Sequence, residues 1–334
     1  MADILLSTSS IAFSPRSLFW WSCRDAVSQA TLNATPDWII SYWAYPDGDG
    51  AIRAAKSVGA KAAVIIGGAD VLLLPKSDKR RQPTLKVLNE ADLILTVSDG
   101  LREQCIRLGA DPSRVHTLLQ GVDDSSFKPG NKAEVRSILG IPLNVPAYLW
   151  VGRMVGVKRV DLLLEAFHHL RGTITDAQLY LAGQGPLKEQ LRSQVRAFGL
   201  NDNVHFVGPI TQADLPKWYQ AADATILTSS SEGLPNVLRE SLACGTPFVS
   251  TNVGSISEIA DPASSILVPA NDVECLRAAI TDILDPVYQS GAAQYQPRSW
   301  NQTARELVTL LHSPICKMPP SGSSVSTATE GIAI

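Results

Sequence analysis

From about Pro142 the chain alternates short apolar runs with longer stretches of helical periodicity, and this rhythm restricts the fold more than any other feature. The runs YLWVG (148–152), AQLYLAG (177–183), NVHFVG (203–208), ATILTS (224–229), PFVSTN (247–252) and SILVP (265–269) are too short for helices. They are also apolar on both side-chain faces. Such strands belong in a parallel sheet covered on both sides. Between them RVDLLLEAFHHL (159–170), PLKEQLRSQVRAFG (186–199), DLPKWYQAA (214–222) and DVECLRAAITDIL (272–284) carry apolar residues at helical spacing. Crossovers of this length make right-handed βαβ units, so the expected architecture is α/β, a doubly wound Rossmann-like sheet.

At 334 residues the chain exceeds what one core usually supports, so a second domain is expected. The first 130 residues repeat the rhythm less completely. DWIISYW (37–43), AAVIIGG (62–68) and DLILTV (92–97) read as buried parallel strands, with helices near 49–58 and 99–108. RVHTLLQGVDDSSFKPG (114–130) reads as a last strand and its exit into a linker. The expected division is a partial first domain over 1–130, a second over 131–298, a helix over 299–312 and a disordered tail over 313–334, rich in Pro, Ser, Thr and Gly.

Net charge is −3 with a pI near 6.0, which gives no bulk attraction for nucleic acid or an anionic membrane. The basic run Lys76–Arg81 is read as a solvated loop, with contact to an anionic acceptor or lipid head group as the other reading. Five cysteines stand without paired spacing, against a disulfide framework or zinc site and for a reducing, cytoplasmic setting. No run reaches the roughly 18 apolar residues of a membrane span. Residues 1–22 lack a basic region ahead of their apolar stretch, so no secretory signal is expected. Peripheral contact at the inner membrane face stays open.

The segment SEGLPNVLRESLACGTPFVST (231–251) places two carboxylates around a turn and a helix begun by Pro235. The backbone N–H groups of Gly233, Leu234, Asn236 and Val237 lie where a helix offers no internal acceptors, and with the helix dipole they attract phosphate or sugar oxygens. Glu240, about one and a half turns into the helix, is placed to accept from a diol. Upstream, Arg153 follows a strand, and Lys158 opens a helix five residues later. A planar guanidinium and a mobile ammonium at a sheet's carboxyl edge suit a diphosphate, whereas cations at a helix start oppose its dipole. The two glycines of LAGQGP (181–186), Gly183 and Gly185, permit close backbone approach and are read as pocket walls.

The spacing Glu232-x7-Glu240 followed by SLACGTPFV, together with VGR and a lysine ahead of an apolar helix, resembles glycosyltransferase family 4 (glycosyl transferases group 1). This resemblance implies the GT-B fold of two Rossmann-like domains, here with an incomplete first domain. It implies a retaining transferase that moves a sugar from a nucleoside diphosphate donor to a hydroxyl acceptor: a polysaccharide, glycolipid or small molecule. Arg153 and Lys158 would stabilise the leaving diphosphate, and Glu232 with the loop after it would contact the sugar. Glu240 would hold the ribose, and the backbone near Val207, Gly208 and Pro209 would frame the base. Front-face attack assisted by the leaving phosphate is implied, without an enzymic nucleophile. Two cations on the diphosphate make a metal unnecessary.

The first domain departs from the family pattern. No Gly-rich strand, loop and helix is found between Met1 and Pro36. Ser41 and Trp43 stand in a segment that often carries His, and Gly67 stands at the His of an H-G-S-D-like segment in which Asp70 matches. A competing reading is therefore a non-catalytic nucleotide-sugar binder or truncated inactive homologue. An oxidoreductase is disfavoured because no G-x-G-x-x-G opens a βαβ unit. His168, His169 and His312 fall on helices, and His116 and His205 on strands, as surface or core-edge residues.

Overall fold

The computed structural model describes residues 36–313, apart from Leu74 and Lys76. The expectations for Met1–Pro36, other than Pro36 itself, and for the tail beyond Ser313 lie outside the described residues. Two parallel sheets form the frame. The first carries β1 (Trp38–Tyr42), β2 (Lys61–Ile66), β3 (Leu93–Thr96) and β4 (Val115–Thr117) in the order β1-β2-β3-β4. The second carries β5 (Ala147–Val151), β6 (Gln178–Ala182), β7 (Val204–Gly208), β8 (Ala224–Leu227), β9 (Phe248–Thr251) and β10 (Ser265–Val268). Its order is β10-β9-β8-β5-β6-β7, with every pairing parallel.

That order reverses at β5. The chain winds outward through β6 and β7, then returns to lay β8 on the other side of β5. Helices leaving the two strands go to opposite faces at such a switch point, and a crevice opens at the strands' carboxyl ends. The strands form for the reason their composition gives: Tyr148, Leu149 and Trp150 of β5 are all essentially inaccessible, so both faces are covered. Helix Val160–Leu170 lays Leu163, Leu164, Phe167 and Leu170 on one face of this sheet.

The first sheet has its own core, built from Ile52, Val64, Ile66, Leu88, Ile94 and neighbours. On its other face lies helix Trp300–Leu311, whose Leu307, Leu310 and Leu311 pack with Trp38, Leu93, Leu95 and Leu118. Its entry is fixed by a Ser299–Gln302 capping box, which satisfies donors at the first turn. Val122 donates its N–H to Arg298 O at 2.8 Å, and Thr303 Oγ1 donates to Leu119 O at 2.8 Å, so the linker and the returning chain are tied together.

Some local expectations need correction. The basic run is no loop: Ser77 precedes helix Asp78–Glu90, which contains Pro83 and puts Lys79, Arg80 and Arg81 in its first turns. Burial of Val87 and Leu88 against the first core overrides a proline and an unfavourable dipole. Lys158 does not open a helix; it closes the 3-10 turn Gly156–Lys158, Arg159 takes a φ of 45°, and the helix starts at Val160. Pro235 precedes the helix Asn236–Ala243 as its cap position rather than beginning it. Helices Lys132–Leu139 and Pro286–Ala293 had no counterpart in the sequence reading.

Candidate functional site

The exits of β5 and β6 are joined backbone to backbone. Gly152 N donates to Ala182 O at 3.0 Å, Met154 N to Gln184 O at 2.9 Å, and Leu187 N to Met154 O at 3.1 Å. The contact is too close for side chains: a Cβ on Gly183 would stand 1.9 Å from Gly152 O, and one on Gly185 2.3 Å from Met154 O. Gly183 also has a φ of 132°, open to glycine and hostile to other residues. Against these loops lies a cleft of about 700 Å³, walled by Gly152, Arg153, Gly183, Gln184, Gly185, Lys188, Pro209 and Ile210. Among the described residues no carboxylate lines it. The side chains of Arg153 and Lys188 have no hydrogen-bond or ion-pair partner among the described residues, so both cations are available to an anion.

Beside the cleft, the loop after β8 is fastened to the loop after β5. Ser230 N donates to Val157 O at 2.8 Å, and Thr228 Oγ1 donates to the carbonyls of Lys158 at 3.0 Å and Arg159 at 2.9 Å. Lys158 Nζ then donates to Glu232 Oε1 at 2.6 Å, with side chains only 21% and 12% exposed. The two residues are 74 apart in sequence and meet because β5 and β8 are neighbours at the switch point.

Glu240 stands on helix Asn236–Ala243, which follows β8. Tyr219 Oη donates to its Oε2 at 3.0 Å, and Gln212, two residues beyond Ile210, also hydrogen-bonds the carboxylate. Burial pushes the Glu240 carboxyl above the usual range, against the pull of these bonds and of Arg239. The Tyr219 phenol is raised well above its ordinary value by burial and by the neighbouring carboxylate, so it stays a proton donor.

The domains meet around the 232–235 turn. A Cβ on Gly233 would stand 2.3 Å from Gly67 O, and one on Gly68 2.7 Å from Gly233 Cα. Ser255 N donates to Gly233 O at 3.1 Å, while Ser98 Oγ and Ser255 Oγ are 2.7 Å apart. Glu258 accepts from the N–H groups of Asp99 at 2.9 Å and Gly100 at 2.8 Å. Asp70 is fully buried and accepts from Gly68 N at 2.8 Å, Ala44 N at 3.3 Å and Gly67 N at 3.4 Å. It shapes the loop. Burial raises its carboxyl above the ordinary value, with those N–H groups opposing.

Of the residues singled out from sequence, Arg153, Gly183 and Gly185 line the cleft, Lys158 and Glu232 pair beside Gly152 of its wall, and Glu240 is bonded to Tyr219 and Gln212 outside its lining. Others have side chains committed elsewhere. Leu234 inserts into the first domain's core, because an apolar side chain at an interdomain contact is buried where it lands. Val207 packs in the cluster of Leu149, Tyr180 and Tyr219, and Pro209 and Ile210 line the cleft in its place. Val237 joins Leu238 and Leu242 in a third cluster. Asn236 Oδ1 accepts from Arg239, whose guanidinium also donates to Gln120 O in the linker.

Sequence reasoning passed over Lys188, Tyr219 and Arg239. Lys188 had a signal, since it stands at a helix start after a Gly-rich strand exit, where a cation opposes the dipole. Arg239 is 5% exposed with Nε unpaired among the described residues, and nothing in sequence separates it from a surface arginine. None of the five histidines lines the cleft: His205 stacks on Tyr180, His168 on Phe198, and His169 pairs with Glu274. Among the described residues no group of three His, Cys, Asp or Glu side chains could hold a metal ion, and no helix is long and apolar enough to cross a membrane.

Two parallel-sheet domains, the second with a cationic cleft at the carboxyl ends of β5, β6 and β7, define a two-domain α/β protein of the GT-B fold. The chain belongs to the glycosyl transferases group 1 family, whose sequence profile it matches over residues 131–304. It is 33% identical over 236 residues to D-inositol 3-phosphate glycosyltransferase 2 of Catenulispora acidiphila, covering 66% of this chain and 55% of that protein. It is 31% identical to the D-inositol 3-phosphate glycosyltransferase of Streptosporangium roseum, covering 70% of this chain and 59% of that one. The match thus spans little more than half the length of those curated relatives. Anabaena HepE in complex with UDP and glucose superposes with a TM-score of 0.76 at 18% identity, covering 91% of this chain and 84% of that chain. Thermosynechococcus elongatus sucrose-phosphate synthase gives 0.75 at 21%, covering 91% and 81%.

Proposed function

We propose that this chain binds a nucleoside diphosphate sugar in the cleft at the exits of β5, β6 and β7, beside the β5–β8 switch point, and transfers the sugar, with retention, to a hydroxyl acceptor. The observation that carries the reading is the cleft's lining among the described residues: two cations without partners there, Arg153 and Lys188, no carboxylate, and Lys158 at its side. Three cations around one small volume suit a diphosphate, which carries its charge in several conformations and departs with more of it. Glu240 accepts the ribose hydroxyls at the cleft edge. The sugar then lies toward Glu232 and the turn at Gly233, where the two domains touch.

In the reaction the bond from the sugar's anomeric carbon to the diphosphate oxygen breaks, and its electron pair leaves with the diphosphate, stabilised by Arg153, Lys158 and Lys188. The acceptor oxygen bonds to the anomeric carbon from the same face. Its proton passes to an oxygen of the departing phosphate, so configuration is kept without an enzymic nucleophile. This is the chemistry of family 4, and the cationic lining removes the need for a metal, so a chelator should leave turnover unchanged. The relatives' names make a phosphorylated cyclitol the first acceptor to try, ahead of lipid-linked or polysaccharide acceptors. The charge balance and the lack of paired cysteine spacing favour a cytoplasmic setting, with contact at the inner membrane face as the narrower case.

Calorimetry with UDP-glucose, UDP-N-acetylglucosamine and GDP-mannose tests donor binding, followed by product analysis with inositol phosphate. Binding that is absent in wild type, or unchanged in Glu240→Ala and Lys158→Ala, refutes the site. Binding without turnover on any acceptor would favour the non-catalytic binder.

A further inference from the structure

Tyr42 ends β1 at the carboxyl edge of the first sheet, and it is 44% exposed. Its ring lies over Gly67: a Cβ there would stand 2.9 Å from both Cε1 and Oη of the tyrosine. The phenol therefore fills the volume that a side chain at position 67 would take. Gly67 O is in turn the atom that a Cβ on Gly233 would approach at 2.3 Å, and Gly233 follows Glu232. The Tyr42 hydroxyl is thus placed beside the contact between the domains, at the Glu232 end of the site. The cations that bind diphosphate stand on the second domain.

The hydroxyl's hydrogen bonding is directional. Gln120 Nε2 donates to Tyr42 Oη at 3.1 Å, which orients the phenol and uses one of its lone pairs. Its proton has no acceptor among the described residues. Partial burial, aided by Asp70 and opposed by the Gln120 bond and by Arg239, raises the phenol's pKa, so the proton is retained through the physiological range. The backbone beyond is strained: Trp43 has a φ of 89°, unfavourable for a bulky residue. Trp43 N donating to Ile65 O at 2.8 Å, and Gly48 N donating to Trp43 O at 3.1 Å, hold it there. Strain of this kind persists where the surroundings fix it, and it turns the chain sharply just after the phenol.

We propose that Tyr42 is a sugar-contacting residue of the first domain, donating its phenolic hydrogen to a hydroxyl of the sugar carried by the donor. This rests on the donor-site reading above. The nucleotide's contacts lie at the exits of β5, β6 and β7, so Tyr42 distinguishes a nucleotide sugar from the bare nucleotide. A role confined to bracing Gln120 and the linker would make no such distinction.

The test is Tyr42→Phe, which keeps the ring over Gly67 and deletes only the hydroxyl. Affinities for UDP and UDP-glucose, and for GDP and GDP-mannose, are measured by calorimetry on wild type and variant. The expected result is nucleoside diphosphate affinity within twofold of wild type, and affinity for the preferred nucleotide sugar reduced about three- to tenfold, the range for a neutral hydrogen bond. Turnover falls with it. Equal loss for nucleotide and nucleotide sugar, or no loss for either, overturns the proposal. If wild type binds nucleotide sugars and Tyr42→Phe binds them equally well, Tyr42 is excluded and the donor site stands. If wild type binds none of them, the donor-site reading itself falls, and Tyr42 with it.

Discussion

Removing Lys158 should separate the stability of the second domain from its affinity for an anion. The ammonium donates to Glu232 at 2.6 Å, and the carboxylate is only 12% exposed. In Lys158→Ala that carboxylate loses its counter-charge while it stays largely shielded from water. Breaking a fully buried pair by removing one partner costs about 3 to 5 kcal/mol, whereas exposed pairs contribute about 0 to 1 kcal/mol. At these exposures a loss of about 1.5 to 3 kcal/mol is expected, the range for a hydrogen bond to a charged group. Lys158→Ala/Glu232→Ala removes the stranded charge and should recover most of that stability. It should recover none of the diphosphate affinity, because the lost contact is the ammonium itself. Urea midpoints at constant slope give the stabilities, and calorimetry with the nucleoside diphosphate gives the affinities. A coupling energy below about 0.5 kcal/mol, within ordinary additivity error, would refute the pairing. Binding restored in the double variant would refute the assignment of Lys158 to the diphosphate.

Arg153→Ala removes an exposed side chain with no partner among the described residues, so unfolding should shift by no more than about 0.5 kcal/mol while diphosphate affinity falls by about 1.5 to 3 kcal/mol. Glu240→Gln should stabilise the ligand-free protein at pH 7: burial raises this carboxyl's pKa in the fold, so the folded state binds more protons than the unfolded one above the ordinary carboxylate range. Stability is therefore lost as pH rises through that window in wild type and not in the variant, which thermal melts across pH would show, with nucleotide binding weakened. Gly183→Ala should cost at least about 2 kcal/mol in unfolding, from a positive φ and a Cβ 1.9 Å from Gly152 O; a neutral result would mean that the β5 and β6 exits separate readily.

The strands of the second sheet were legible to within a residue or two because their cue is local. A run such as AYLWV, apolar on both faces, has few stable alternatives to a buried parallel strand. Helix Trp300–Leu311 was expected over 299–312 from the family resemblance, and the structure gives it Ser299 as its cap. The helix Asp78–Glu90 was not, since its basic first turns read as a solvated loop, and burial of Val87 and Leu88 in the first core holds it. Around the cleft, charges beside strand ends were visible as a pattern. Partners were not.

The sequence by itself determined two parallel α/β units and a set of cations and carboxylates at strand exits, because apolar periodicity and glycine placement act over a few residues. The tertiary structure alone decided which of them meet. Strand order put Glu232 on Lys158 across 74 residues, burial gave Glu240 to Tyr219, and contact between the domains sent Leu234 into the opposite core. It also laid Tyr42 over Gly67. These outcomes depend on where whole sheets and loops come to rest, a property of packing between distant segments that no local pattern encodes.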